Sequence, residues 1–182
     1  MNRDAFIHVL RAAAAVVEDE LVIVGSQAIL GSLDDPPEPL VRSLEVDMYP
    51  KSDPDRAIEI DGALGDGSRF HQHYGYYAHA VGPETITVPA GWEERLVRVE
   101  VPAIQRRAGS AVGWCLSIPD LLLAKLAAGR PDDVAFVEAA LREGIHPLDD
   151  LRRGIDLLPE HARELTSERL EGLAAKLNRK NG

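Results

Sequence analysis

Two stretches near the N-terminus decide the fold, VIVGSQAILGS at residues 22–32 and SLEVDMYP at residues 43–50. In the first stretch a short apolar run breaks at Gly25-Ser26, and a helix-like segment follows it. In the second stretch apolar residues alternate with Glu45 and Asp47, which is the pattern of a β-strand. The succession of these two stretches raises a question: Gly25-Ser26 could bind phosphate, or it could simply connect the strand to the helix.

A glycine and a serine between a strand and a helix suit phosphate, because glycine admits a ligand to the backbone and the helix start presents free N–H groups. The two familiar glycine-rich templates nevertheless fail. Gly25 and Gly31 have five residues between them, and no lysine follows, so a Walker loop is excluded. Gln27 stands where a dinucleotide fingerprint needs its second glycine. Any phosphate role must therefore come from another part of the sequence.

The carboxylates of the second stretch offer that role. Residues i and i+2 of a strand point to one face, so Glu45 and Asp47 can both reach one Mg²⁺ ion while Val46 and Met48 face the opposite side. Such an ion could neutralise charge on a nucleoside triphosphate during transfer of its α-phosphate. An acid-x-acid pattern is also common on the wet face of a strand, so on its own it does not choose between the two interpretations.

Length and composition limit the kind of protein. The chain has 182 residues, 45% of them hydrophobic and 27% charged, which predicts one compact unit with a sizeable core. No apolar run reaches membrane-spanning length and the start MNRDAFIHVL lacks the features of a signal peptide, so we expect a cytoplasmic protein. The single cysteine, Cys115, cannot form an intramolecular disulfide and is expected to be a small buried hydrophobe.

The charge balance disfavours general binding to nucleic acid. Twenty basic residues against 30 acidic ones leave a net charge of −10, so any nucleic-acid contact needs a local basic patch. The candidates are Arg106-Arg107, Arg152-Arg153 and the tail residues Lys176, Arg179 and Lys180. Each is more typical of a solvated helix or loop face than of a binding site.

The predicted secondary structure passes from mainly strands in the first part of the chain to helices in the last part. An amphipathic helix is predicted over 4–18 with Asp4 as a possible N-cap, and strands over 21–24 and 44–49. Three further β-type runs, at 76–81, 85–88 and 95–101, predict an antiparallel meander. From residue 117 onward four helices are predicted, one of them from Pro131 to about Arg142. Strands early and helices late indicate an α+β protein, with a core over 1–110 and a helical region over 115–182.

Three blocks carry a resemblance to a known family. VGSQAIL followed by SLEVDMYP resembles the signature of the polymerase-β type nucleotidyltransferase superfamily. PDLLLAKLAAGRPDDVAFVEAAL is similar to the block KLxAgRxxD of bacterial AbiEii-type and MenT-type toxin nucleotidyltransferases and of a related, largely uncharacterised family, which YGYYAHAVGPETITVPAGWEERL also resembles. The resemblance implies a small mixed sheet with helices, followed by a C-terminal helical region.

The resemblance also implies a reaction: Mg²⁺-dependent transfer of a nucleoside monophosphate from an NTP to an acceptor hydroxyl. For the toxin relatives it implies the tRNA 3′ end as acceptor and a cognate antitoxin as partner. Gly25 and Ser26 would then contact the triphosphate, and Glu45 and Asp47 would bind the metal. Glu45 departs from the aspartate that is commoner in the superfamily, and the proline-rich segment between Ser26 and Glu45 makes that gap long.

The second block adds Lys125 and Asp133 as catalytic candidates. Lys125 could reach phosphate as a point charge, Arg130 could supply a second cation, and Asp133 could orient either of them or act on the attacking hydroxyl. The structural alternative is that Lys125 favours a helix C-terminus and Asp133 a helix first turn, where their charges are stabilised by the helix dipole. Arg95 is a further candidate for phosphate or acceptor contact.

For two further features the sequence does not decide between a functional role and a structural one. Glu100 is the best candidate for a third metal carboxylate, but a solvated strand face explains it equally well. The other feature is a cluster of histidines and tyrosines, which could bind metal, stack on a base or simply pack. Its members are His71, His73, His79, Tyr74, Tyr76 and Tyr77.

Two rivals to the transferase interpretation stay open. One is a protein that keeps the fold and binds nucleotides, or acts as a scaffold, without turnover. The other is an enzyme that nucleotidylates a protein rather than RNA. The sequence names neither the base that is used nor the acceptor.

Overall fold

The computed structural model describes residues 1–101 and 111–180, without the side chain of Lys180. The predicted patch at Arg106-Arg107 and the Lys180 side chain therefore lie outside the described residues. The chain divides into two compact units. The sheet unit comprises Met1–Thr85 and Leu96–Ser117, and the helical unit comprises Ile86–Arg95 and Ile118–Gly182.

The sheet unit is built on five strands in the order β3-β2-β1-β5-β4. β2 lies antiparallel to β1 and parallel to β3, while β5 lies parallel to β1 and antiparallel to β4. This small mixed sheet with helices confirms the predicted α+β class. The strands are β1 (Leu21–Ile23), β2 (Glu45–Pro50), β3 (Tyr77–Ala80), β4 (Val97–Val101) and β5 (Ala111–Cys115), and the helices are α1 (Arg3–Val17), α2 (Ala57–Leu64) and α3 (Arg69–Tyr74).

Helix α1 covers one face of the sheet. It buries Phe6, Leu10 and other apolar residues at helical spacing, and it packs against β1, β2, β3 and β5. Gly113 of β5 permits this approach, because a Cβ at that position would lie 2.9 Å from both Leu10 and Ile23. The expected N-cap, Asp4, is wrong: the cap is Asn2, two residues nearer the N-terminus, whose side chain accepts the Ala5 N–H at 2.9 Å.

Strand alternation on β2 separates the apolar and acidic residues as predicted. Val46 and Met48 are fully buried on the face that α1 covers, whereas Glu45 and Asp47 are half-buried on the opposite face. Burial of the apolar pair therefore fixes the register in which the acidic pair faces outward.

The predicted antiparallel meander is wrong. β3 pairs in parallel with β2 at one edge of the sheet, β4 pairs with β5 at the other edge, and residues 85–88 form no strand. Between β3 and β4 the chain leaves the sheet unit, because residues 86–95 belong to the helical unit. β5, a run of small and apolar residues, was not predicted at all.

The helical unit confirms the predicted all-helical C-terminal region. Its helices are α4 (Ile118–Ala128), α5 (Pro131–Arg142), α6 (Leu148–Gly154), a 3₁₀ turn (Ile155–Leu157) and α7 (Glu160–Lys180). Gly129, with a φ of 65°, ends α4, and Pro131 begins α5 as predicted. α7 begins at Glu160 and packs against α4, α5 and α6.

Candidate functional site

The Gly25-Ser26 turn lies directly beside β2. It follows β1 and opens a 3₁₀ helix, Ser26–Gly31, rather than an α-helix. The Val24 N–H donates to the backbone carbonyl of Asp47 at 3.1 Å, which continues the β1–β2 ladder up to the turn. The backbone of the turn is thereby fixed relative to the strand that carries the acidic pair.

Gly25 is in close contact with the Asp47 side chain. A Cβ at Gly25 would lie 1.6 Å from the Asp47 carboxylate oxygen Oδ2, so no side chain can occupy position 25 in this arrangement. Glycine is required here for the approach rather than for an unusual backbone angle, since Gly25 has an extended φ of −86°. The structure thus brings together the glycine turn and the second acid of the acid-x-acid strand.

His79 of β3 is the neighbour of Asp47 across the sheet. The parallel register pairs the two residues, and the His79 Nδ1 lies 2.8 Å from Asp47 Oδ1. Because an ionised carboxylate only accepts, the ring N–H is the donor. The side chains are 49% and 23% exposed, respectively, so the pair is accessible to a ligand.

Tyr77 has the same relation to Glu45. The register pairs them, and the Tyr77 hydroxyl donates to Glu45 Oε2 at 2.7 Å. This hydrogen bond, with a contribution from burial, raises the pKa of Tyr77 to about 12, so the phenol remains a donor at neutral pH. The His71 ring lies 4.6 Å from the Tyr77 ring, centroid to centroid.

The predicted histidine and tyrosine cluster is therefore divided. His71, Tyr77 and His79 lie next to the acidic pair, whereas Tyr74 and Tyr76 pack with His8 and Phe70 beside α1. Sequence reasoning missed Tyr77 and His79 as partners of the acids. The available signal was their i, i+2 spacing in YAHA, which matches the spacing of Glu45 and Asp47.

The sheet does not bring Glu100 to the acidic pair. β4 is three strands away from β2, and a spacing of about 4.8 Å per strand puts Glu100 about 14 Å away across the sheet. Glu100 instead forms an ion pair with Arg98 at 2.7 Å, with about half of each side chain exposed. This placement matches the solvated-strand alternative for Glu100.

Gln27 connects the turn to the start of β2. It is fully buried in the 3₁₀ helix, and its Nε2 donates to the Ser43 carbonyl at 3.3 Å. The Ser43 hydroxyl in turn accepts the Glu45 N–H at 3.1 Å. The residue that breaks the dinucleotide pattern thus positions the strand of the acidic pair.

A cleft of about 380 Å³ adjoins His79 on the sheet unit. It lies between α2 and the end of β3, and its lining mixes acidic residues with the apolar side chains of Ile58 and Pro83. One edge of the His79 ring faces Asp47, and the residue also lines this cleft. Neither Glu45 nor Asp47 lines the cleft, so His79 is the residue that the cleft and the acidic pair share.

The donor set at the acidic pair fits Mg²⁺ in part. Two carboxylates on one strand face are hard oxygen ligands, and Mg²⁺ commonly takes one or two of these together with phosphate oxygens and water. Within residues 1–101 and 111–180, no three His, Cys, Asp or Glu side chains lie close enough to hold a metal alone. A metal here would need substrate oxygens to complete its coordination.

Lys125 and Asp133 meet inside the helical unit. Lys125 Nζ lies 2.7 Å from Asp133 Oδ1 and 4.7 Å from the Phe136 ring centroid. Arg130 Nε contacts the other Asp133 oxygen at 2.6 Å. Lys125 and Asp133 are only 11% and 6% exposed, while Arg130 is 77% exposed. Burial raises the pKa of Asp133, but the hydrogen bonds and charges of Lys125 and Arg130 outweigh it and hold that pKa below its usual value.

Arg95 is held by a buried acid. Its Nε and Nη2 donate to the two carboxylate oxygens of Asp120 at 3.0 and 2.8 Å, and Nη2 also reaches the Ala90 carbonyl. Hydrogen bonding to Asp120 raises the pKa of Arg95. Arg95 therefore attaches residues 86–95 to α4, and its predicted role in phosphate contact would require it to leave this pair.

The described basic patches are largely neutralised by neighbouring acids. Arg152 donates to Glu171 and Asp149, Arg153 pairs with Asp150, and Lys176 pairs with Glu138. Cys115 is fully buried and its pKa is raised to about 12 by burial, which confirms it as a small hydrophobe.

A family model described as "Nucleotidyltransferase of unknown function (DUF6036)" matches residues 3–156. The chain belongs to this nucleotidyltransferase family. The matched range contains the Gly25-Ser26 turn, both acids of β2, and the Lys125 and Asp133 pair. No curated protein and no solved structure is detectably similar to the chain. Nothing in the match specifies the AbiEii-type or MenT-type toxins.

Among the described residues of this nucleotidyltransferase-family protein, no helix is both long enough and apolar enough to cross a membrane.

Proposed function

We propose that this protein is a Mg²⁺-dependent nucleotidyltransferase that moves a nucleoside monophosphate from an NTP to an acceptor hydroxyl. The observation that carries the proposal is the contact between Gly25 and the Asp47 carboxylate, which joins a phosphate-compatible turn to a metal-compatible acid. Membership of a nucleotidyltransferase family supports the same reaction class.

In the proposed reaction the acceptor hydroxyl oxygen attacks the α-phosphorus of the NTP. The bond from that phosphorus to the pyrophosphate oxygen breaks, pyrophosphate leaves with the bonding electrons, and the hydroxyl proton is released to solvent. Mg²⁺ bound by Asp47 and Glu45 would neutralise the charge on the phosphate oxygens.

The chain's own groups would bind and orient the triphosphate. The backbone N–H groups after Gly25 and the Ser26 hydroxyl would donate to phosphate oxygens. Tyr77 would hold the longer Glu45 side chain in one orientation through its 2.7 Å hydrogen bond. In the helical unit, Lys125 and Arg130 are further proposed phosphate cations, but both are paired with Asp133 and would have to leave that carboxylate to take this role.

The acceptor and the biological role are finer parts of the same proposal. We propose the tRNA 3′ end as acceptor and a toxin role that a cognate antitoxin neutralises, on the resemblance of the Lys125 block to toxin nucleotidyltransferases. The net charge of −10 counts against a tRNA acceptor, so contact with tRNA would need a local basic patch.

Incubation with each of the four α-labelled NTPs, Mg²⁺ and total tRNA tests the reaction. We expect label in RNA and pyrophosphate release with the parent protein, and neither with Asp47→Ala. Label in a protein band would favour the protein-acceptor alternative. NTP binding without pyrophosphate release would favour the non-catalytic alternative. No transfer by the parent to any acceptor would remove the proposal.

Induced expression in bacteria tests the toxin role separately. We expect the parent to arrest growth and Asp47→Ala to leave growth unchanged at equal protein level. Equal growth of the two strains, with transfer still detected in vitro, would remove the toxin role and leave the enzyme.

A further inference from the structure

We propose that His79 is a direct metal ligand that, together with Asp47, gives this site a preference for Mn²⁺ over Mg²⁺. The inference rests on the proposed function, because it adds one ligand to the metal site of that reaction and changes the preferred ion from Mg²⁺ to Mn²⁺. Its basis is the position of the His79 imidazole on β3, directly beside Asp47 on β2. The imidazole adds a nitrogen donor to a site whose other ligands are carboxylate oxygens.

The distance between the two side chains already suits a shared ion. His79 Nδ1 and Asp47 Oδ1 are 2.8 Å apart. Two adjacent ligands of an octahedral ion at about 2.1 Å are separated by about 3 Å. A metal can therefore replace the proton between the two atoms with almost no backbone movement.

The backbone holds this spacing. Asp47 and His79 are register partners of the parallel β2–β3 pair, and both project from the face opposite α1. The hydrogen bond from Val24 to the Asp47 carbonyl and the contact with Gly25 fix Asp47 from the other side. Neither ligand depends on a flexible loop, so the pair is preorganised for an ion.

The chemistry of the donors decides the metal. Imidazole nitrogen is a ligand for transition-metal ions, whereas Mg²⁺ is held by oxygen. Mn²⁺ is otherwise held by the same carboxylate and water oxygens as Mg²⁺ and is the weakest binder of the first-row transition series, so a nitrogen donor is the feature that would distinguish the two ions at this site. Two protein donors are enough in such a site, since the NTP supplies the others.

The ring is also accessible for this role. Its side chain is 49% exposed, so an ion and its water ligands can reach it. The alternative is that His79 acts only through Asp47, orienting the carboxylate by a hydrogen bond while a metal binds the acid alone. The two roles differ in whether nitrogen touches the metal.

The experiment uses full-length, metal-free protein with Mn²⁺ as the probe, with and without a non-hydrolysable NTP. Loss of the free Mn²⁺ electron paramagnetic resonance signal gives the affinity, competition with Mg²⁺ gives the preference, and pulsed measurements detect nitrogen bound to the ion. Compared variants are His79→Asn, His79→Asp and, as a matched control, His73→Asn, an exposed histidine of α3.

We expect nitrogen coupling from bound Mn²⁺ in the parent and in His73→Asn, and none in His79→Asn. His79→Asp, which converts the site to oxygen donors, is expected to shift the Mn²⁺ to Mg²⁺ affinity ratio toward Mg²⁺ by about tenfold or more. Bound Mn²⁺ without nitrogen coupling in the parent would overturn the proposal, as would an unchanged affinity ratio in His79→Asp.

The two proposals can fail separately. Label transfer with Mg²⁺ and no nitrogen coupling would leave the transferase in place and remove the role of His79. Nitrogen-coupled Mn²⁺ with no transfer to any acceptor would remove the transferase and leave the metal ligand.

Discussion

Asp47 and Asp133 are both carboxylates with a nitrogen partner at under 3 Å, yet their surroundings differ. Asp47 meets His79 on a partly exposed sheet face, with side chains 23% and 49% exposed. Asp133 meets Lys125 in the interior of the helical unit, with side chains 6% and 11% exposed, and Arg130 contacts its second oxygen. One arrangement is accessible to ligands and the other is enclosed.

The difference in exposure indicates which of the two pairs can be separated with little loss of folding free energy. An exposed pair is weakly coupled, so a ligand can replace one partner with little loss of folding stability. An enclosed pair is costly to break, because the remaining charge is left without compensation in a low-dielectric environment. We therefore expect changes at Asp47 to affect chemistry and changes at Lys125 to affect stability.

The largest expected effect is on catalysis. Asp47→Asn keeps the side-chain shape but removes the charge that binds metal, and we expect transfer to fall by about 10³-fold or more with little change in melting temperature. Glu100→Gln is the comparison, since Glu100 lies at the other edge of the sheet and is expected to keep activity. Equal losses in the two variants would contradict the assignment of the acidic pair.

The second effect is on folding. Lys125→Met leaves Asp133 with only the exposed Arg130 as its cation among the contacts described here, and we expect a loss of about 2–3 kcal/mol in the free energy of unfolding. Arg130→Gln, at the same carboxylate but 77% exposed, is expected to cost about 0–1 kcal/mol. Urea denaturation at neutral pH compares them. If the two losses are equal, burial does not distinguish the two cations.

The third effect tests the contact between the turn and the acid. Gly25→Ala places a methyl group against the Asp47 carboxylate, so we expect a loss of about 1–3 kcal/mol in stability together with reduced transfer. Gly62→Ala is the matched control, because a Cβ there has no atom within 4 Å and should stabilise α2 by about 0.5–1 kcal/mol. A Gly25→Ala protein as stable as the parent would show that the turn can move.

Local features of the fold could be predicted from the sequence. Pro131 and the apolar periodicity gave the bounds of α5, and the alternation of Glu45 to Met48 gave the faces of β2. Each depends on residues within one turn or one strand, where propensity and burial agree. Strand order depends on distant partners, so the sequence could not show that β3 and β4 lie at opposite edges.

The same limit applies to the candidate site. Gly25, in the turn after β1, and Asp47, on β2, could be associated because the two strands are consecutive along the chain and pair antiparallel. His79 could not be identified as the neighbour of Asp47, since a parallel register is set by a crossover rather than by a turn. Glu100 has the right alternation but the wrong strand position for the acidic pair.

The fourth effect concerns the other acid of the pair. Tyr77→Phe removes the hydroxyl that donates to Glu45, and we expect a loss of about 0.5–1.5 kcal/mol in stability. Since the pKa of Tyr77 is about 12, the parent should show a tyrosine phase at that pH, and the variant should lose one tyrosine from this late phase. Absorbance of tyrosinate during an alkaline titration measures it. Tyr74→Phe, a change in the exposed tyrosine of α3, should leave the late phase in place.

The smallest effect is a change in the acid dependence of stability. The pKa of Asp133 is lower in the folded protein than in the unfolded chain, because Lys125 and Arg130 outweigh the effect of burial. Such a group binds more protons when unfolded, so its contribution is present above the unfolded pKa of about 3.9 and is lost as pH falls through the folded value. Comparing urea midpoints of the parent and Asp133→Asn from pH 7 to pH 2, we expect the difference between them to shrink below about pH 4. If the stability difference between the parent and Asp133→Asn stays constant with pH, the Lys125–Asp133 pair stabilises the fold through packing and hydrogen bonds alone. The charge of Asp133 would then not contribute to the difference between this pair and the Asp47–His79 pair.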